Sequence, residues 1–286
     1  MTLRRATVVG AGRIGLYLGG CLLYAGWKVR FVGRKEFGNQ IAENGALILS
    51  NLQQQFELKF DNDLFTYKEK LEKGDIESGD FLIICVKRAD SEKIAQELLA
   101  LEISNFNLIS FQNGVDNTKT YCDILKNVQF TPISAIFGPN VIKVDDQIAH
   151  FKLATSNPII IEQTEHSEIL QAAFTHGKTA EGPFLECEIT QNLRGVMFGK
   201  LMLNLNNSIN ALTGLPLKDE LRSKKVYFSN PTSPCTKNID YTLPVQESVI
   251  LCHERVVSCD ESQQYHSSRC IATFSTKNTA LSHDAA

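Results

Sequence analysis

The chain has 286 residues, 43% of them hydrophobic and 21% charged, an ordinary soluble globular composition long enough for two domains. A formal net charge of -3 gives no polybasic field, which argues against a nucleic-acid or membrane-surface partner. No apolar run reaches the roughly 18 residues that span a bilayer, and the glycine-rich start does not read as a signal peptide, so a cytoplasmic location is expected.

Thr7-Val8-Val9 reads as a short buried strand running into the glycine turn Gly10-Ala11-Gly12-Arg13-Ile14-Gly15. Arg13 to Tyr24 reads as a helix, ended by Ala25-Gly26 acting as a C-cap. Val29 to Val32 is a second strand, Ile41 to Leu47 looks helical, and Ile48 to Phe60 has the partial alternation of a hairpin or edge strand. Asp80 to Val86 is nearly continuous apolar sequence, as in a parallel strand covered on both faces. Ser91 to Leu101 supplies a crossover helix, and Asn107 to Phe111 a further strand ending at Gln112-Asn113-Gly114. Pro132 to Phe137, Gln147 to Ala154 and Pro158 to Glu162 are strand-like. Glu188 to Leu212 is the longest helical stretch, with Leu193, Val196, Met197, Leu201, Leu205, Ile209 and Leu212 at near-helical spacing.

This order predicts an α/β fold: a Rossmann-type, mostly parallel sheet followed by a smaller, incomplete α-helical domain. The expected organisation is a dinucleotide-binding domain over 1–180, a partial helical domain over 181–225 and a divergent tail over 226–286, disorder being one reading of that tail. Cys235, Cys252, Cys259 and Cys270 all fall in this last segment. None of the eight cysteines forms a CxxC pair, so no metal site is expected.

The glycine turn follows a strand and opens a helix, the context in which GxGxxG carries weight. There Gly10 permits the tight turn, Gly12 lets the backbone approach a pyrophosphate, and Gly15 lets the helix pack closely on the sheet. The helix N-terminus then offers amides and a favourable dipole to the phosphates. After the second strand, Gly33-Arg34-Lys35 stands where an NAD site usually has an acidic residue. Arg34 can grip a 2′-phosphate bidentately, which favours NADP; the alternative is a solvated Arg-Lys pair at a strand end. Lys200, Asn204 and Asn207 lie close to one face of the long helix. Such a set can polarise a carbonyl and bind an adjacent carboxylate, against the plainer reading of a lysine snorkelling at the core edge.

The segments Val8–Gly15, Phe31–Arg34, Ile84–Lys87, Gln112–Val115 and Gly199–Asn207, in that order, resemble the ketopantoate reductase (2-dehydropantoate 2-reductase) family over about residues 5 to 220. The resemblance implies NADPH-dependent reduction of the 2-oxo group of ketopantoate to pantoate, with a small-molecule 2-oxoacid as partner and a homodimer as one assembly. It implies Lys200 as the catalytic lysine and Asn204 as a substrate-binding amide. Asn207 and Ser208 share the place of the family's second substrate contact. It also implies cofactor contacts from Gly10, Ala11, Gly12, Arg13, Ile14, Gly15, Arg34, Lys87 and Asn113, with Gln112 replacing the more familiar His of the family motif. The family's later Ser and Glu do not align onto this chain, where helical periodicity ends near Leu221. Two other readings therefore stand beside the first: a catalytically impaired NADP-binding relative acting as a sensor or interaction protein, and a reductase of another oxo acid.

Overall fold

The computed structural model describes residues 3–61, 63–146, 148–175, 182, 183 and 185–213; within the last helix, side chains are described for 193–202 and 204. The chain divides into two compact units, Met1–Leu193 and one that begins at Arg194. The expected tail over 226–286 lies outside the described residues.

The first unit carries an eight-stranded sheet in the order β12-β11-β8-β7-β6-β1-β2-β5. Its strands are β1 (Arg5–Val9), β2 (Lys28–Val32), β5 (Phe65–Lys68), β6 (Phe81–Ile84), β7 (Phe106–Ser110), β8 (Phe130–Phe137), β11 (Ile159–Glu162) and β12 (Cys187–Thr190). Every neighbouring pair is parallel except β8 with β11. The fold is thus the mostly parallel α/β sheet that the sequence predicts. Consecutive residues of these strands enter opposite cores, Val8, Phe81 and Ile83 on one face and Val9, Leu82 and Ile84 on the other. This burial on both faces is why the strands read as apolar runs rather than alternations.

A second sheet, β4-β3-β10-β9, is made of β3 (Ala46–Ser50), β4 (Gln55–Lys59), β9 (Val141–Asp145) and β10 (His150–Leu153). Between the two sheets runs α1 (Arg13–Tyr24), buried continuously from Gly15 to Leu22, and α5 (Ser167–Thr175) adds Leu170, Ala173 and Phe174 to the same core. Two adjacent glycines explain how α1 fits. A Cβ at Gly19 would lie 2.3 Å from the Phe31 ring of β2, and one at Gly20 would lie 2.4 Å from Leu49 of β3. Removing both side chains lets a sheet close on each side of the helix. The other face of the large sheet is covered by α3 (Ser91–Ala100) and α4 (Asn117–Ile124), through Ile94, Ala95, Leu98 and Tyr121. The segment after β5 is held by two buried carboxylates. Asp75 accepts from Lys68 Nζ at 2.8 Å and from the Glu72 amide at 2.8 Å, and Asp80 accepts from Arg5 Nε at 2.8 Å.

Two local expectations are corrected, and two strands are added that the sequence reading did not place. The helix placed over Ile41 to Leu47 is α2 (Lys35–Asn44), stopped by Gly45 at φ 69, after which β3 begins. Phe65–Lys68 and Val141–Asp145 form β5 and β9, neither of which the sequence revealed. The long helix begins at Leu193 rather than Glu188, because Cys187–Thr190 pairs with β11 as the sheet's last strand. That helix, α6 (Leu193–Thr213), belongs to the second unit from Arg194 onward.

Candidate active site

Strands β7, β6, β1 and β2 lie side by side and parallel, so the loops that leave Ser110, Ile84, Val9 and Val32 emerge on one edge. The chain order reverses at β1, with β2 on one side and β6 on the other. In open α/β sheets a ligand binds in the crevice outside the strand ends at such a switch point.

At the head of β1 the turn has the geometry its glycines require. Gly10 sits at φ 93, and its amide and that of Ala11 both donate to Val32 O, at 2.9 and 3.0 Å. A Cβ on Gly10 would lie 2.5 Å from Val86 N and 2.6 Å from the Cys85 carbonyl carbon. A Cβ on Gly15 would lie 2.4 Å from Gly10 O and 3.1 Å from a Val8 methyl, so α1 packs directly on its own turn. Gly12 is different. It is the N-cap of α1 and a Cβ there would meet nothing within 4 Å, which leaves its backbone open to an approaching group. No side chain caps α1, and its first turn holds no acidic residue. Open backbone and uncapped amides are what a pyrophosphate needs. Of the remaining turn residues, Ala11 is buried, Ile14 half-buried and Arg13 exposed.

Arg34 follows β2 as the exposed N-cap of α2, its guanidinium carbon 5.1 Å from the centre of the Phe37 ring. Tyr67 Oη, from β5, donates to Arg34 O at 2.9 Å and fixes the backbone beneath this cation. Lys87 follows β6, exposed, and caps the short 3-10 turn Arg88–Asp90 through its carbonyl, which accepts the Asp90 amide at 2.9 Å. Asn113 follows β7 and is exposed, beside Gly114 at φ 113. The glycine turn, Arg34, Lys87 and Asn113 therefore share one edge of the sheet. Between the last two lies buried Gln112, which the sequence marked only as a replacement for His.

The second unit holds the other predicted residues. With about 100° per residue in a helix, Lys200 and Asn204 fall on the stripe of buried Leu193, Val196 and Met197. Leu201, expected on that stripe, lies on its flank and is 38% exposed. The place of Lys200 on the apolar stripe has an electrostatic result: burial disfavours the ammonium and lowers its pKa to about 8. Asn207 and Ser208 lie within α6, and their side chains are outside the described residues.

The sequence profile described as ketopantoate reductase PanE/ApbA matches residues 6–185, well over half of the chain. The chain belongs to this family. Among solved structures it is similar to a PanE/ApbA family ketopantoate reductase from Ralstonia eutropha JMP134, with a TM-score of 0.66 and 22% identity over 90% of this chain and 80% of that one. It is likewise similar to 2-dehydropantoate 2-reductase from Geobacter metallireducens GS-15, at a TM-score of 0.65 and 18% identity over 89% and 82% of the two chains. A third is D-mandelate dehydrogenase in a ternary structure with NADH and anilino(oxo)acetate, at a TM-score of 0.60 and 16% identity over 91% and 81%. At these identities the likeness is one of fold. No curated protein matches the sequence significantly. Among the described residues, no helix is long and apolar enough to cross a membrane.

Proposed function

We propose that the chain reduces a 2-oxoacid with NADPH, the substrate being 2-dehydropantoate and the product pantoate. The observation that carries the reductase reading is Lys200. A lysine on an apolar helix stripe, with its pKa lowered to about 8, is charged near neutral pH yet yields its proton readily. In this reading the open backbone of Gly12 and the amides of Arg13 and Ile14 hold the pyrophosphate, with Gly10, Ala11 and Gly15 shaping the turn. Arg34 binds the 2′-phosphate, and Lys87 and Asn113 flank the nicotinamide half. When bound, the reduced nicotinamide supplies a hydride to the 2-oxo carbon.

The chain's own residues do the rest. Lys200 donates a hydrogen bond to the carbonyl oxygen, stabilises the negative charge that grows there and delivers its proton to that oxygen. The amine left behind regains a proton from solvent. Asn204, one turn on, binds the substrate carboxylate, and Asn207 and Ser208 extend the same contact. The choice of NADPH over NADH rests on Arg34, since a guanidinium matches a phosphate bidentately where an acidic side chain would repel it. A cytoplasmic location and a homodimer belong to the same proposal.

The test is NADPH oxidation, followed by absorbance, against 2-dehydropantoate and a panel of 2-oxoacids. Turnover that vanishes in Lys200→Ala is the expected result. Tight NADPH binding without turnover on any substrate would instead make the chain a binding relative, and turnover on another 2-oxoacid alone would replace the substrate.

A further inference from the structure

Gln112 lies two residues beyond β7 at 6% exposure, and every polar atom of its side chain is engaged. Its Nε2 donates to Val86 O at 3.1 Å and to Ser91 Oγ at 2.8 Å. Its Oε1 accepts from Ser110 Oγ at 3.1 Å. Its backbone carbonyl accepts from Nδ2 of buried Asn117 at 2.7 Å, and the same amide reaches Gly114 O at 3.3 Å. The two acceptors on Nε2 bracket Lys87: Val86 precedes it, and Ser91 opens α3 just beyond the 3-10 turn. Asn113 follows Gln112 directly in the chain. One buried amide thus joins the loop after β6, the start of α3 and the loop after β7.

We infer that Gln112 is a positioning residue for the cofactor, holding the loops of Lys87 and Asn113 in one arrangement through the two hydrogen bonds that Nε2 donates. The inference rests on the cofactor reading of those loops given above. Its chemistry is specific, because the site asks one side chain for two donors and one acceptor, which an uncharged amide supplies. A carboxylate has the same shape and can donate nothing, and it would turn a negative oxygen toward Val86 O. A neutral carboxylic acid at the same place restores one donor.

The experiment measures binding of NADP+ by calorimetry to the full chain as wild type, Gln112→Glu and Gln112→Leu, at about pH 5.5 and pH 8.5. Thermal melting of the ligand-free proteins reports folding. Unpaired buried acceptors predict dissociation constants on the order of tenfold above wild type for Gln112→Glu at the higher pH. At the lower pH that ratio should shrink to within about threefold, because burial against Val86 O raises the introduced carboxyl's pKa well above the ordinary glutamate range, so that it takes up a proton and donates. Gln112→Leu should show the tenfold loss at both pH values; if it fails to fold, the pH response of Gln112→Glu decides alone. Dissociation constants equal to wild type, or a Gln112→Glu loss of the same size at both pH values, would overturn the inference. A shift in melting temperature without a shift in dissociation constant would also overturn it, since Gln112 would then only support the fold. If wild type bound neither NADP+ nor NAD+, the cofactor reading would fall and this inference with it.

Discussion

Arg34 and Lys200 carry the chemical content of the proposal, and each makes a separable prediction. Loss of a charge-assisted phosphate contact costs about 1.5–3 kcal/mol, so Arg34→Ala should weaken NADPH by about 10- to 100-fold in equilibrium titration. NADH, which has no 2′-phosphate, should change little. Equal losses for the two cofactors would remove the 2′-phosphate assignment. In the proposed mechanism Lys200 is the proton donor, so its charged form is the active one. With its pKa lowered to about 8 by burial, kcat for reduction should be level below that pH. Above it, kcat should fall about tenfold per pH unit, as the ammonium is lost. Lys200→Ala should lower kcat by about 10²- to 10⁴-fold and abolish that alkaline limb. A wild-type profile flat through pH 10 would show that Lys200 does not supply the proton.

At the scale of elements, the glycines of the first turn do different work, and substitution separates Gly10 from Gly12. Gly10 combines φ 93 with a backbone contact that a Cβ would violate. Gly10→Ala should therefore destabilise the first unit by about 2–4 kcal/mol, visible as a lower melting temperature. Gly12→Ala adds its methyl to open space. It should leave the melting temperature within about 2 °C while weakening NADPH about tenfold or more, because in the proposed site that methyl stands where the pyrophosphate approaches. A Gly12→Ala protein that binds NADPH normally would contradict the cradle.

These elements were legible in the sequence because a strand, a glycine turn and a helix start are local chemistry. The limits of α1 were readable for the same reason: its glycine turn and its Ala25-Gly26 end are neighbours in the chain. β12 and β5 were not readable. Each is four residues long and is defined by partners far away in sequence, as in the pairing of Cys187 with Ile159. Glu188, Ile189 and Thr190 directly precede the apolar positions of α6, so that part of β12 merged with the helix in the sequence reading. Gln112 shows the same limit within the site. In the chain it is one polar residue before a turn, and its function as a brace arises only when Val86, Ser91 and Ser110 are folded around it. Lys200 was visible as a residue type, but its altered acidity follows from its place on the stripe with Val196 and Met197.

For the molecule as a whole, cofactor and fold should be linked. A ligand that binds only the folded state stabilises it by about 2.7 kcal/mol at a hundredfold excess over its dissociation constant. NADPH should accordingly raise the melting temperature of wild type and raise that of Arg34→Ala much less at equal concentration. The central claim is that this chain is a reductase and not only a dinucleotide-binding protein, and steady-state NADPH oxidation with 2-dehydropantoate tests it most directly. The account predicts turnover in wild type and its loss in a folded Lys200→Ala protein that still binds NADPH. Saturable NADPH binding with no oxidation on 2-dehydropantoate or any other 2-oxoacid would contradict it.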